Sequence, residues 1–456
     1  MASMLSQFGA LTLAPETQFG ELPWDFVALF LLCLPVRTRL RAREVSRGWR
    51  ALLNEPRFWL VLNFSRGSGV VTRVSPRLLF ASGERGRGHV HTLDLTGTEG
   101  LSAQRLTQFA AAHGDSLRTV KVQESRPLSA DQVTRFCRSA PLCTLRCFVR
   151  CYPAEALPLL RCEAPCALLH IFKLCVHGFN INAQAVLDLA AALPSHRGKI
   201  KELTVYQTTV YQTPLRDGAV VDGLMRGIAE AGVSNLAIVG CYLTPASLPG
   251  LTWLLQAGCL ERLDIDNLYN ALFEEGPDLT AFCDALRSST LQMLELESCQ
   301  LWRDPAAAGE LLAALVGHQT LRELSLGYNL VTHTPYYNSP PDDTRRAAGE
   351  QLASLITHSS ALQKFDLTEN HFGEVGMAPI FEALPGSSTL KELLVKYEFL
   401  SREFARDVIL PAVRANTSLR TLHFKMFDMS PTRTVLSELA EAQAIVAART
   451  RRRAVA

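Results

Sequence analysis

Six cysteines crowd one stretch of the chain, at Cys143, Cys147, Cys151, Cys162, Cys166 and Cys175. Thiolates at short paired intervals hold zinc, but this spacing matches no structural zinc pattern, and reduced, buried thiols explain it as well. The histidines His113, His177, His196, His318 and His358 share no interval, and no HExxH, GxSxG or phosphate-loop motif accompanies them. The chain is therefore expected to be neither an enzyme nor a cofactor or metal protein. The residues that remain are carboxylates in alternation, Asp264 with Asp266 and Glu295 with Glu297, joined by Glu323 and Asp366. Alternate residues of a strand share a face, and carboxylates on parallel strands about 4.8 Å apart repel one another. Such a strip suits a Lys- or Arg-rich protein partner, with a solvated polar face as the alternative. Tyr328, and Tyr206 further back, supply anchors of the type that dominates interface energetics.

A strip of this kind needs strands held side by side, and the spacing of leucines supplies them. The stretch "TLRELSLGYNL" sets a template of Leu321, Leu324, Leu326 and Asn329. It returns at Leu260/Leu263/Ile265, Leu291/Leu294/Leu296, Leu362/Phe365/Leu367, Leu390/Leu393/Val395 and Leu419/Leu422/Phe424. More degenerate copies start at Val90, Leu117, Leu145, Leu169, Ile200 and Val233, and the period is near 29 residues. Two apolar residues two apart enter the core from a short strand, and the earlier one anchors the turn before it. The residue three positions on, Asn329, Asn370, Cys299 or Cys241, is placed to bond the bend that follows. Segments such as "DPAAAGELLAALVGHQT", begun by Asp304 and Pro305, carry apolar residues at helical spacing.

These units resemble the ribonuclease-inhibitor-like leucine-rich repeats over residues 59–430. The resemblance implies an α/β horseshoe, parallel strands inside and helices outside, and fixes a binding scaffold without naming its ligand. One interval is longer, which marks a loop insertion near 331–346, "THTPYYNSPPDDTRR"; a specificity element and an inert insertion both fit it.

Length and composition agree with a repeat architecture. The 456 residues exceed what one compact core sustains, and 48% hydrophobic against 20% charged residues excludes a wholly disordered chain. A net charge of +2 gives no global attraction to nucleic acid or anionic membrane, so neither is expected as a partner. The longest apolar run, Phe26 to Val36, is too short to span a bilayer, and no leader pattern precedes it, which leads to an expected cytoplasmic or nuclear location. Residues 1–20 read as a flexible N-terminus and 431–456 as a helix with a basic tail, whose "RTRRR" fits an import signal or a solvated end.

The segment before the repeats is different. Pro23 and Pro35 bracket "WDFVALFLLCL", apolar on every side, which requires cover on every side. The next segment pairs Val36 with Leu40 and Val45 with Trp49, leaving Arg37, Arg39, Arg41, Arg43 and Arg47 to solvent. A third short helix starts at Pro56. Three small helices bury too little to stand alone, so a partner protein is expected. Residues 21–65 resemble an F-box: the Leu-Pro at Leu22 and Pro23, a second at Leu34 and Pro35, Val45-Ser-Arg-x-Trp49, and Pro56-x-x-Trp59. The resemblance implies that Leu22, Pro23, Leu29, Leu34, Pro35 and Val45 contact the adaptor subunit of the SCF ubiquitin ligases, and through it a cullin. Trp49 and Trp59 would pack the helices. Trp59, Leu62 and Phe64 also satisfy the repeat template, so the F-box is expected to run straight into the first repeat.

On this reading the chain is a substrate-recognition subunit. A scaffold or inhibitor of the ribonuclease-inhibitor type, acting without ubiquitin chemistry, is the alternative.

Overall fold

The computed structural model describes residues 24–65, 74–98, 101–122, 127–140, 143–161, 169–177, 183–206, 214–267, 271–330, 341–396, 398, 400–425 and 437–455. They form two compact units, one of residues 1–148 with 164–170 and one of 149–163 with 171–456.

The first unit opens with helices Trp24–Cys33, Val36–Ala42 and Arg47–Leu52 and a 3-10 turn at Pro56–Trp59. Ser46 caps the third helix by accepting the Trp49 N–H at 3.0 Å. Trp59 is fully buried and donates its indole N–H to the Leu53 carbonyl at 2.8 Å, which ties the third helix to the turn. Strands β1 (Val61–Asn63), β2 (Thr92–Asp94), β3 (Thr119–Val122) and the start of β4 (Thr144–Cys151) follow in parallel, each entered from a helix. Leu62 pairs with Leu93 and Leu93 with Val120, so β1 joins the parallel sheet directly after the 3-10 turn. Ser75, Ser102 and Ser129 each cap the helix they precede, satisfying amides that a helix start leaves without an intrahelical acceptor.

Arg39 departs from the expectation that it faces solvent. It is 7% exposed, donating from Nε to the Leu34 carbonyl at 2.8 Å and from Nη1 to the Phe58 carbonyl. Burial holds its pKa below that of an ordinary arginine. The chain turns that join the three helices leave carbonyls inside, and only a forked donor reaches two of them.

The second unit continues with β5 (Leu169–His177), β6 (Glu202–Tyr206), β7 (Asn235–Val239), β8 (Arg262–Asp266), β9 (Met293–Glu297), β10 (Glu323–Ser325), β11 (Lys364–Asp366), β12 (Glu392–Lys396) and β13 (Thr421–Lys425). All pairings from β5 to β13 are parallel, and strand order follows chain order. The core lies between strands and helices: Leu263, Ile265, Leu294, Leu296, Phe365 and Leu367 are fully buried. Asp304 begins its helix as expected, accepting the Ala306 and Ala307 amides at 3.0 and 3.1 Å. Helices approach closely where glycine permits, as at Gly349, where a Cβ would stand 2.1 Å from the Gly376 carbonyl oxygen. The final helix, Ser437–Val455, closes the open side of β13, with Gln443 donating to the Leu422 carbonyl at 3.1 Å. The architecture is thus α/β, with one parallel strand and one helical segment per repeat.

Two of the degenerate repeats sit in a different register from the expected one. Leu145 pairs with Val120, which makes it the middle apolar residue of its repeat, not the first. Leu174 pairs with Leu203, so the buried trio of β5 is Ile171, Leu174 and Val176, not a set starting at Leu169. Both strands are long, with eight and nine residues, and their alternation offers several superimposable starts. The insertion near 331–346 falls mostly outside the described residues; its last residues enter the helix Asp342–His358.

Candidate functional site: two interaction surfaces

The first surface belongs to the N-terminal helices. Helix Trp24–Cys33 is not covered on every side: Val27, Ala28 and Leu31 are buried, while Trp24, Leu29, Phe30 and Leu32 are 58%, 41%, 39% and 39% exposed. Val45, in the turn before the third helix, is 67% exposed. Leu34 and Pro35 are half-buried at the first interhelical turn. Trp49 is half-buried and its ring lies 6.3 Å from that of Phe30. Leu22 and Pro23 lie outside the described residues. Large apolar side chains concentrated on one short helix, with Val45 beside the next, have the character of an interaction site.

The second surface is the face of the β5–β13 sheet that carries the residues alternating with the buried leucines. The register sorts the expected acids into rows. Asp264 is opposite Glu295 and Asp266 opposite Glu297, and Glu295 is in turn opposite Ser325, which is opposite Asp366. Glu323 stands in a different row, opposite Met293 and Lys364, with the Lys364 ammonium at 3.4 Å. The Asp366 carboxylate turns into the following bend, where it accepts the Thr368 amide at 2.9 Å. Tyr328 is not on a strand: it occupies the bend after β10 with φ 60°, held by its amide on the Thr368 carbonyl at 3.1 Å.

Arg262 stands between two of the acids, 3.0 Å from Glu295 and 3.7 Å from Asp264. Burial, followed by the nearby Glu295 charge, pushes the Asp264 carboxyl up to about 7. Burial also raises Glu297, although the Ser325 hydroxyl donates to it at 3.0 Å. This region holds more negative charge than its fixed cations neutralise. Further along, Lys396 is half-buried and His423 exposed; Tyr397 and the Lys425 side chain lie outside the described residues.

Of the clustered cysteines, Cys175 stands opposite Thr204, in the row that runs on to Ala237 and Asp264. Cys143, Cys147, Cys151 and Cys175 are buried, and burial pushes the Cys143 and Cys151 thiols up to about 12, which keeps them protonated. Cys162 and Cys166 lie outside the described residues. The repeat signal missed one polar residue, Asn267, fully buried just beyond β8, whose side chain accepts the Leu243 amide at 2.6 Å and donates to the Leu243 carbonyl at 3.0 Å. Its position directly after "LDID" could have revealed it, had the bend been allowed to shorten by one residue.

A repeating strand and helical segment, with partially exposed side chains on one sheet face, defines a leucine-rich-repeat protein. Residues 19–61 match the F-box domain, so the chain carries an F-box followed by leucine-rich repeats. Two curated relatives are NACHT, LRR and PYD domains-containing protein 5 of Homo sapiens, 28% identical over 222 residues, and Protein CARMIL of Dictyostelium discoideum, 28% identical over 200. The matches cover 45% and 42% of this chain and 18% of each relative, so the chain spans under a fifth of their length. Among solved structures, the Rad7 and Elc1 complex in yeast aligns with a TM-score of 0.39 and 11% identity, covering 80% of this chain and 83% of that one. The F-box match and the repeat fold together support a protein-interaction role in general terms.

Proposed function

We propose that the protein is the substrate-recognition subunit of an SCF-type ubiquitin ligase. The F-box helices bind the adaptor subunit, which joins them to a cullin, and the acidic sheet face holds a protein substrate carrying basic residues. The chain itself performs no chemistry. It acts by proximity, raising the effective concentration of substrate lysines near the charged conjugating enzyme. Its place of action is the cytoplasm or nucleus.

The observation that carries the proposal is the exposed apolar set Trp24, Leu29, Phe30, Leu32 and Val45 within a segment that matches the F-box. Full burial of an exposed apolar side chain is worth about 1.5–3 kcal/mol, and these partly exposed side chains leave a fraction of that for an adaptor groove to recover.

Co-expression with the adaptor tests it. Stoichiometric co-purification is expected from the native chain and loss of the adaptor from a Leu29→Asp, Val45→Asp variant that retains its thermal unfolding transition. A folded native chain that never retains the adaptor would replace this reading with a scaffold or inhibitor that acts without ubiquitin chemistry.

A further inference from the structure

The acidic face contains a cleft of about 130 Å³ over β6, β7 and β8. The register explains why it is there. Thr204, Ala237 and Asp264 form one row across the three strands, and Tyr206, Val239 and Asp266 the next. The short side chain of Ala237 leaves a gap between Thr204 and Asp264, and Tyr206 and Val239 give that gap an apolar wall. The row on the other side is Lys173, Glu202, Asn235 and Arg262. Lys173 lies 3.7 Å from Glu202, Asn235 donates to Glu202 at 3.4 Å, and Arg262 lies 3.0 Å from Glu295 and, more loosely, 3.7 Å from Asp264. Pockets for cofactors and drug-sized molecules run from roughly 300 Å³ upward, so this cleft fits one side chain and not a small-molecule cofactor.

We propose that the cleft over Ala237 receives a single arginine side chain of the partner protein, its aliphatic stem against Tyr206 and Val239 and its guanidinium on the Asp264 carboxylate. The inference rests on the reading of this sheet face as the substrate-holding surface and names the contact that gives it selectivity. A planar fork fits a carboxylate with two hydrogen bonds and stacks on an aromatic ring, which a lysine ammonium does not do.

Protonation gives the contact a signature. Asp264 is faced by Arg262 and Asp266 on its own strand and by Glu295 and Glu297 on β9, while the cleft residues of β7, Asn235, Ala237 and Val239, do not titrate. With its carboxyl pushed up to about 7, Asp264 is only partly ionised at neutral pH. An arriving guanidinium ionises it and releases a proton, so binding strengthens from pH 6 to pH 8.

The test uses the full chain and a fluorescent hexa-arginine peptide, with hexa-lysine and hexa-glutamate of the same length for comparison. Two variants address the cleft: Ala237→Leu fills it without changing charge, and Asp264→Asn removes the charge at nearly constant shape. Glu323→Gln is the control on the same face. The expected result is tighter binding of hexa-arginine than of hexa-lysine and at least tenfold weakening in both cleft variants. Glu323→Gln should stay within twofold, and the pH dependence should vanish in Asp264→Asn. Equal affinities for the native chain and both cleft variants would overturn the cleft while leaving a basic-substrate receptor intact. No binding of hexa-arginine at all would also overturn it, and adaptor co-purification would then decide separately whether the receptor reading stands.

Discussion

The backbone amide of Asn329 donates to the side-chain Oδ1 of Asn370 at 2.7 Å, across one repeat. The Asn370 oxygen also takes the Leu330 amide at 3.1 Å, and its Nδ2 reaches the Leu326 and Leu367 carbonyls at 2.9 Å each. Asn329 repeats the pattern one step earlier, accepting the Cys299 and Leu301 amides at 2.9 and 3.3 Å. Both side chains are buried, so each satisfies polar backbone groups that water does not reach. Asn329→Ala and Asn370→Ala each strand two amides, and a loss of about 3 kcal/mol in urea unfolding is expected for either. A loss below about 1 kcal/mol would mean that the bends satisfy themselves by shifting.

How far such a ladder is legible in sequence depends on whether the repeat leaves one register or several. From Leu260 onward the short strands admit a single alignment, and Asn329 and Asn370 fall where the spacing places them. In β4 and β5 the template slides, because Leu145, Cys147, Val149 and Cys151 all face inward and any adjacent pair imitates the leucine pair. The acids Asp264, Asp266, Glu295 and Glu297 were legible as one strip for the same reason that Glu323 and Tyr328 were not. Alternation gives the face, but only pairing gives the row, and a bend with positive φ has no alternation to read. The cleft over Ala237 was invisible, since it arises from a small residue between two larger ones on neighbouring strands.

Arg39 makes a second structural prediction. It joins the Leu34 carbonyl at the first interhelical turn to the Phe58 carbonyl of the last turn, so the F-box helices close around one guanidinium. A lysine carries its three N–H groups on one nitrogen, which cannot stand where both Nε and Nη1 do, so one carbonyl loses its donor. Arg39→Lys is expected to lower the stability of this segment by about 2 kcal/mol and Arg39→Met by a similar amount or more. Amide hydrogen exchange in residues 24–59 reads this directly. Unchanged protection there, with Arg39 replaced, would refute the role.

Glu398 should make stability depend on pH. Its carboxyl is 1% exposed, accepts the Gly373 amide at 3.1 Å through Oε2, and leaves Oε1 without a hydrogen-bond partner. Burial dominates over the Gly373, His371 and Phe372 amides and the Arg345 charge, and pushes the group up to about 8, from an ordinary value of 4.5. Because the folded-state pKa is the higher one, the contribution to stability is complete below about pH 4.5 and declines as pH rises to about 8. Glu398→Gln keeps an acceptor for the Gly373 amide and removes the titration. The variant is expected to be more stable than the native chain at pH 8 and to lack this part of the decline in Tm. A decline of the same slope in both proteins would locate the effect elsewhere.

Gly349 and Gly376 set how closely the helices Asp342–His358 and Gly373–Ala383 approach. A Cβ on Gly349 would stand 2.1 Å from the Gly376 carbonyl oxygen and 2.9 Å from its carbonyl carbon, both backbone atoms that no rotamer change can move aside. The helices must separate to admit even alanine, although alanine is the better helix former by about 1 kcal/mol. The steric term should win, because moving these helices apart also loosens Leu352 and Met377, which are fully buried on them. Gly349→Ala is therefore expected to destabilise the second unit by about 1–3 kcal/mol. At Gly317, where φ is 80° and a Cβ would have nothing within 4 Å, alanine costs only backbone strain of about 1 kcal/mol. Comparing the two variants by urea unfolding separates packing from conformation. If Gly349→Ala proved as stable as the native chain, the close approach of these helices would not be a constraint on the fold.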